Sequence, residues 1–132
     1  MITDTCMDTA AKTVWGEARG EGEDGMLAVA CVIVNRTRKT GKSLMEVCLQ
    51  KWQFSCWNEG DPNLPKMQAL DWDDQLYRMA MIAVLKAIDL PKDKDPTKGS
   101  RHYHTPAVKP KWAEGQTPAV AIGNHYFYTG IN

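Results

Sequence analysis

The sequence predicts a mainly α single domain of the α+β class with a small β-hairpin region, occupying residues 1–132. Three observations carry this expectation. Apolar residues recur at helical spacing near the N-terminus and again between residues 76 and 88, which marks two amphipathic helices. Between them, residues 26–34 form an apolar run with acidic residues before it and basic residues after it, an order that complements a helix dipole. Two short aromatic or β-branched runs, at 52–57 and 120–128, lie among Gly, Pro and Asn and read as strands. With 132 residues and 43% hydrophobic content, the chain can bury one core without obligatory metals or disulfides.

Met7, Ala10, Ala11, Val14, Trp15 and Ala18 follow the i, i+3, i+4, i+7 pattern of one helical stripe, and Gly20 is positioned to stop it. The next helix is expected to open near Asp24 and run through Val34, with Asn35 to Lys39 at its end. Being apolar on almost every side, it should be the central helix. Ser43 and Glu46 have capping-box spacing and predict a short third helix through Leu49. Trp52 to Trp57 reads as a strand or hairpin arm, and Asn58 to Pro65, with Gly60 and Pro62, as a loop. Asp73 and Asp74 introduce a last long helix that Pro91 should end. Lys92 to Gly115 is rich in Lys, Pro and Gly, and Val120 to Tyr128 reads as a terminal strand broken at Gly123.

Lys plus Arg and Asp plus Glu both number 16, so the net charge is zero and no block of like charge forms a tail. Nucleic acid is therefore not expected as a partner, because counterion release needs clustered cations. The N-terminus lacks the cationic start and apolar run of a signal peptide, and no apolar stretch reaches the roughly 18 residues of a membrane span. Cytoplasmic synthesis without membrane insertion is the expectation. Cys6, Cys31, Cys48 and Cys56 contain no CxxC pair, and their disulfide state stays open.

Among groups able to do chemistry, Glu17 falls about 20° outside the first helix's apolar stripe at 100° per residue, so it should be half-buried. It also stands in the last turn, where unpaired carbonyls disfavour negative charge. Both effects raise a carboxyl pKa, as a general acid for glycoside cleavage requires. The same geometry also fits a solvated glutamate paired with Lys12 or Arg19. Glu21 is four residues further on. On a continuous helix the two Cβ atoms would lie roughly 6 Å apart, compatible with a retaining carboxylate pair; the alternative is a dipole partner for the next helix. His102, His104 and His125 invite a metal site, but no HExxH or comparable spacing accompanies them, and neither metal nor cofactor is expected. Aromatic residues in the non-helical parts, among them Trp57, Tyr103, Trp112 and Tyr126, are of the type that stacks on sugar rings.

The string Trp15-Gly16-Glu17-Ala18-Arg19-Gly20-Glu21, followed by Gly25 to Ala30 and Asn35-Arg36, closely resembles the opening motif of the cell-wall hydrolase family typified by the spore-cortex-lytic enzyme SleB. Gln53-Phe54-Ser55 with Trp57 is similar to that family's central hairpin. Tyr103 to Ala107, Lys111-Trp112 and Ile122 to Phe127 resemble its C-terminal pattern, so the likeness spans roughly residues 9 to 128.

The resemblance implies a lysozyme-like fold related to lytic transglycosylases, acting on peptidoglycan glycan strands at the bond between N-acetylmuramic acid and N-acetylglucosamine. It makes Glu17 the catalytic acid/base. Gln53, Ser55, Tyr103, Asn124 and His125 match motif positions and can hydrogen-bond sugar or Glu17; Glu21 is placed with them as a substrate-binding residue, expected to orient the motif's backbone or Arg19 rather than attack the sugar. A 1,6-anhydro product needs only one carboxylate; a hydrolytic lysozyme and a non-catalytic glycan-binding module are the alternatives. A leaderless domain of this kind suits a monomeric phage or prophage endolysin, made in the host cytoplasm and released to the periplasmic wall by a holin-type partner.

Overall fold

A computed structural model describes residues 4–51 and 53–131. Five α-helices run in chain order: α1 Asp4–Ala18, α2 Gly22–Thr40, α3 Leu44–Leu49, α4 Asn63–Gln68 and α5 Gln75–Asp89. Three short strands follow, β1 His102–His104, β2 Val120–Ile122 and β3 His125–Tyr128. The mainly α architecture with a small β region is as expected.

α2 is the central helix, since Met26 and every residue from Ala28 to Val34 are buried. α1 and α5 pack on it and on each other, and α3 packs on α1. One apolar core joins Val14 and Trp15 of α1, Met26 and Ile33 of α2, and Val84 of α5. Local chemistry sets the boundaries. Gly41, at φ +74°, caps α2 by donating its N–H to the Thr37 carbonyl. Asp74 caps α5 by accepting the Tyr77 N–H at 2.8 Å. At the start of α3, Ser43 Oγ accepts from the Glu46 N–H at 3.1 Å and Glu46 accepts from the Ser43 N–H at 3.0 Å. Ser43→Ala should cost about 1 kcal/mol, lowering Tm by roughly 3–4 °C in a thermal melt.

Three sequence expectations change. Residues 53–57 hold no strand; Ser55–Trp57 is a single 3-10 turn, because Cys56 is drawn into the core and the Trp57 indole N–H donates to buried Thr13 Oγ1 at 2.8 Å. The start of that expected strand, Trp52, lies outside the described residues. The stretch read as a loop contains the start of α4. Pro65 is tolerated there because it stands in the first turn, whose N–H groups have no intrahelical partner, and Asp61 accepts the Asn63 N–H at 2.8 Å. The Lys- and Pro-rich segment after α5 carries β1, which the composition hid.

The hairpin lies at the C-terminus. The sheet order is β1-β3-β2, all antiparallel, with His102 opposite Tyr128, Tyr103 opposite Phe127 and Val120 opposite Phe127. Alternation gives the sheet two faces. Phe127, fully buried, docks one face onto Ala28 and Val32 of α2, with Tyr103 and His125 beside it. The other face gathers His102, His104 and Tyr128 around Trp112.

Candidate active site

Glu17 stands in the last turn of α1, and the sheet's inner face meets it there. The Tyr103 hydroxyl donates to Glu17 Oε1 at 2.5 Å across 86 residues of sequence. Burial is the largest influence on the carboxyl and holds its pKa above the ordinary value. The Tyr103 and Cys56 hydrogen bonds and the Arg36 charge oppose that shift, and the Asp61 charge adds to it. The cations considered from sequence are engaged elsewhere. Lys12 pairs with Asp8 at 3.0 Å, while Arg19 donates to Asn63 Oδ1 at 2.9 Å and lies 4.1 Å from the Trp15 ring centroid.

Tyr103 reaches Glu17 because the segment before β1 is fastened to the end of α2. Asn35 Nδ2 donates to Asp95 Oδ2 at 2.9 Å and to the Ser100 carbonyl at 3.0 Å. Asp95 also accepts from the backbone N–H groups of Thr97 and Gly99, which shapes the loop. Arg36 Nε then donates to the Arg101 carbonyl at 2.7 Å, two residues before Tyr103. Sequence reasoning missed Asp95. Its spacing to Thr97 is that of an Asx turn, a signal that was available.

Two motif glycines find their reason in close approach. A Cβ on Gly16 would lie 2.9 Å from Cys56 Cβ and 2.9 Å from Met67 Sδ, so glycine lets the Cys56 segment reach the end of α1. Cys56 is buried, and burial pushes its thiol pKa well up. A Cβ on Gly123, at φ +56°, would meet Glu21 Oε2 at 2.7 Å, so Gly123 leaves room for that carboxylate.

Glu21 is not on one helix with Glu17. α1 ends at Ala18 and Glu21 is the N-cap residue of α2, so a continuous-helix carboxylate pair is ruled out. Its Oε2 accepts the Asn124 N–H at 3.1 Å, and its Oε1 lies 3.8 Å from His125 Nδ1. Arg19 is bound to Asn63 rather than to Glu21. His125 is only 4% exposed, and its ring meets Tyr103 edge-on with centroids 4.9 Å apart. Burial lowers the His125 pKa against the opposing pull of Glu21, which favours neutral imidazole.

Glu21, His125, Tyr103 and Glu17 thus form a chain of contacts inside the site. Asn124 is exposed at the hairpin turn, and Gln53 and Ser55 are exposed on either side of buried Phe54. The other histidines lie on the opposite sheet face. His104 donates from Nδ1 to the Thr105 carbonyl at 2.8 Å, which leaves Nε2 to accept from the Tyr128 hydroxyl at 2.8 Å. Among the described residues no three His, Cys, Asp or Glu side chains converge as metal ligands.

The fold is a mainly helical, lysozyme-like domain in which a tyrosine from a small sheet holds a half-buried glutamate, and comparisons with known proteins give its family. The family model described as Cell Wall Hydrolase matches residues 20–128, and the chain belongs to that family. The matched segment begins three residues after Glu17. The spore cortex-lytic enzyme of Bacillus subtilis (strain 168) is 31% identical over 121 residues, covering 89% of this chain and 35% of its own length. The chain therefore spans about a third of that relative. The catalytic domain of Bacillus cereus SleB is 26% identical with a TM-score of 0.78, covering 98% of this chain and 93% of its own. The catalytic domain of the germination-specific lytic transglycosylase SleB from Bacillus anthracis is 27% identical with a TM-score of 0.75, covering 96% of each chain.

Proposed function

We propose that this chain degrades peptidoglycan by cleaving the bond between N-acetylmuramic acid and N-acetylglucosamine as a lytic transglycosylase. The observation that carries the proposal is the half-buried Glu17, its pKa raised by burial and its orientation held by Tyr103. Glu17 donates its proton to the glycosidic oxygen as the C1–O bond breaks, and the departing sugar gains a hydroxyl. The carboxylate left behind takes the proton of the muramic 6-hydroxyl while O6 bonds to C1, which closes the 1,6-anhydro ring and restores the acid.

In this proposal the exposed Gln53, Ser55 and Asn124 contact the sugars, whereas buried His125 and half-buried Glu21 set the position of Tyr103 behind the reacting carboxyl. The setting proposed is a monomeric phage or prophage endolysin working with a holin-type release partner.

A hydrolytic lysozyme is the second reading, favoured by a second carboxylate, Asp61, whose charge adds to the upward shift of the Glu17 pKa. Mass spectrometry of digested peptidoglycan separates the two. Anhydro-muramic ends that persist in Asp61→Asn are the expected result. Reducing muramic ends, lost in that variant, would instead establish hydrolysis.

A further inference from the structure

Cations and carboxylates are matched in number over the chain, 16 of each, but the fold does not spread them evenly. Arg38 and Lys39, at the end of α2, meet Lys92, Lys98 and Arg101 of the segment between α5 and β1 across one open cleft of about 510 Å³. The two groups lie far apart in sequence, so no block of like charge announces them. Asp95 is the one carboxylate lining the cleft, and both its oxygens are engaged inside the protein. Its Oδ1 accepts from the Thr97 N–H and hydroxyl, and its Oδ2 from Asn35 Nδ2 and the Gly99 N–H. Asp89 and Asp93, close by in sequence, do not line it. Among the described residues none of the five cations is in an ion pair.

Part of this charge has a structural use. Arg38 and Lys39 complement the negative end of the α2 dipole, and Arg38 also donates to the Ile88 carbonyl at 3.1 Å. The side chains of Lys92, Lys98 and Arg101 stand outside any α-helix and have neither use. Lys98 holds φ +59°, the one left-handed non-glycine among the described residues, so a lysine stands where glycine would be free of strain. Like charges gathered in a concave site, with no protein anion to neutralise them, concentrate anions there.

The lining narrows the kind of anion. No aromatic and no aliphatic residue lines the cleft, so it offers nucleic-acid bases nothing to stack on and acyl chains nothing to enter. A polyol phosphate carries neither. It is a hydrophilic chain with ionised phosphodiesters at regular intervals, and guanidinium and ammonium groups are the side chains that bind phosphate.

We propose that this cleft docks a phosphodiester chain of the polyol-phosphate class carried by cell walls, as a site separate from Glu17 that retains the protein on the wall. The choice of a wall polymer rests on the reading of this chain as a wall enzyme; the anion site itself rests on the five cations.

Binding is read by calorimetry with soluble polyglycerol phosphate, and by co-sedimentation with walls before and after hydrofluoric acid has removed their phosphodiester polymers. Two triple variants of equal charge are compared with wild type: Lys39→Gln/Lys92→Gln/Lys98→Gln in the cleft, and Lys66→Gln/Lys86→Gln/Lys109→Gln outside it. All six lysines are exposed, so melting temperatures should stay close to wild type. The cleft variant should bind polyglycerol phosphate at least about tenfold more weakly and the other variant as wild type does. Wild-type affinity should fall as salt rises, because binding releases counterions. Stripped walls should retain the wild type no better than the cleft variant, and both proteins should cleave stripped peptidoglycan at the same rate.

Equal losses in the two triple variants would reduce the effect to bulk charge and overturn the proposal. Undiminished retention on stripped walls would also overturn it, in favour of peptidoglycan carboxylates. Tighter binding of a single-stranded oligonucleotide with the same number of phosphates would do so in favour of nucleic acid. Failure of the catalytic assignment shows separately, as cleavage that survives Glu17→Gln, a variant that should still bind polyglycerol phosphate as wild type does.

Discussion

Glu17→Gln should lower peptidoglycan cleavage by at least about 10²–10⁴-fold, the range associated with one positioned general acid or base. Glutamine keeps the size of the side chain, and its amide oxygen can still accept the Tyr103 hydroxyl, so the fold survives while the transferable proton is lost. The same substitution should raise stability near pH 7–8. In the wild type, burial raises the folded-state pKa of Glu17 above its unfolded value. Such a group contributes stability that is fully present below the ordinary carboxylate range and is lost as pH rises through the folded value. Glutamine carries no charge to bury, so the Tm of the variant should exceed that of wild type above that window and match it at pH 4. Turbidity assays on permeabilised cells and melts at pH 4 and pH 8 check both halves. Lysis at the wild-type rate would remove Glu17 from the chemistry, and a variant less stable at pH 8 would contradict the buried-acid argument.

Phe127→Ala has the largest effect expected on stability, about 3–5 kcal/mol, or a fall in Tm of roughly 10–20 °C. Phe127 is fully buried, docks the sheet onto Ala28 and Val32 of α2, and its ring centroid lies 5.5 Å from that of Tyr103. Losing it should leave a cavity between sheet and helix and loosen the Tyr103 hold on Glu17, so residual activity should fall further than the folded fraction explains. Denaturant titration together with activity per folded molecule tests this. A loss below about 1 kcal/mol would mean that the sheet is held chiefly by the Asn35 and Arg36 bonds to the 95–101 segment.

The helices were legible because each announces itself locally. The stripe from Met7 to Ala18, the saturated run from Met26 to Val34 and the Ser43/Glu46 capping box depend on neighbours within one or two turns. Where the reading failed, long-range packing outweighed local preference. Residues 53–57 have the composition of a strand, but Cys56 is drawn against Gly16 and Met67, and the chain turns instead of extending. Pro62 and Pro65 punctuate a loop in most contexts, yet the first turn of α4 absorbs Pro65.

The site divides along the same line. The sequence by itself put Glu17 at the edge of the first helix's apolar stripe, because one residue's angle follows from helical periodicity; that angle fitted half-burial and solvation alike, and the motif it resembles favoured the first. It also supplied Tyr103, His125 and Glu21 as candidates through the motif they resemble. Only the tertiary structure decided that Tyr103 holds Glu17, that Glu21 turns away to Asn124 and His125, and that the Arg36 and Asp61 charges bear on the Glu17 carboxyl. Those contacts join α1, α2, the 55–61 segment and β1. Their geometry follows from how the Asp95 loop is fastened to Asn35 and how Phe127 seats the sheet, and no local periodicity records either.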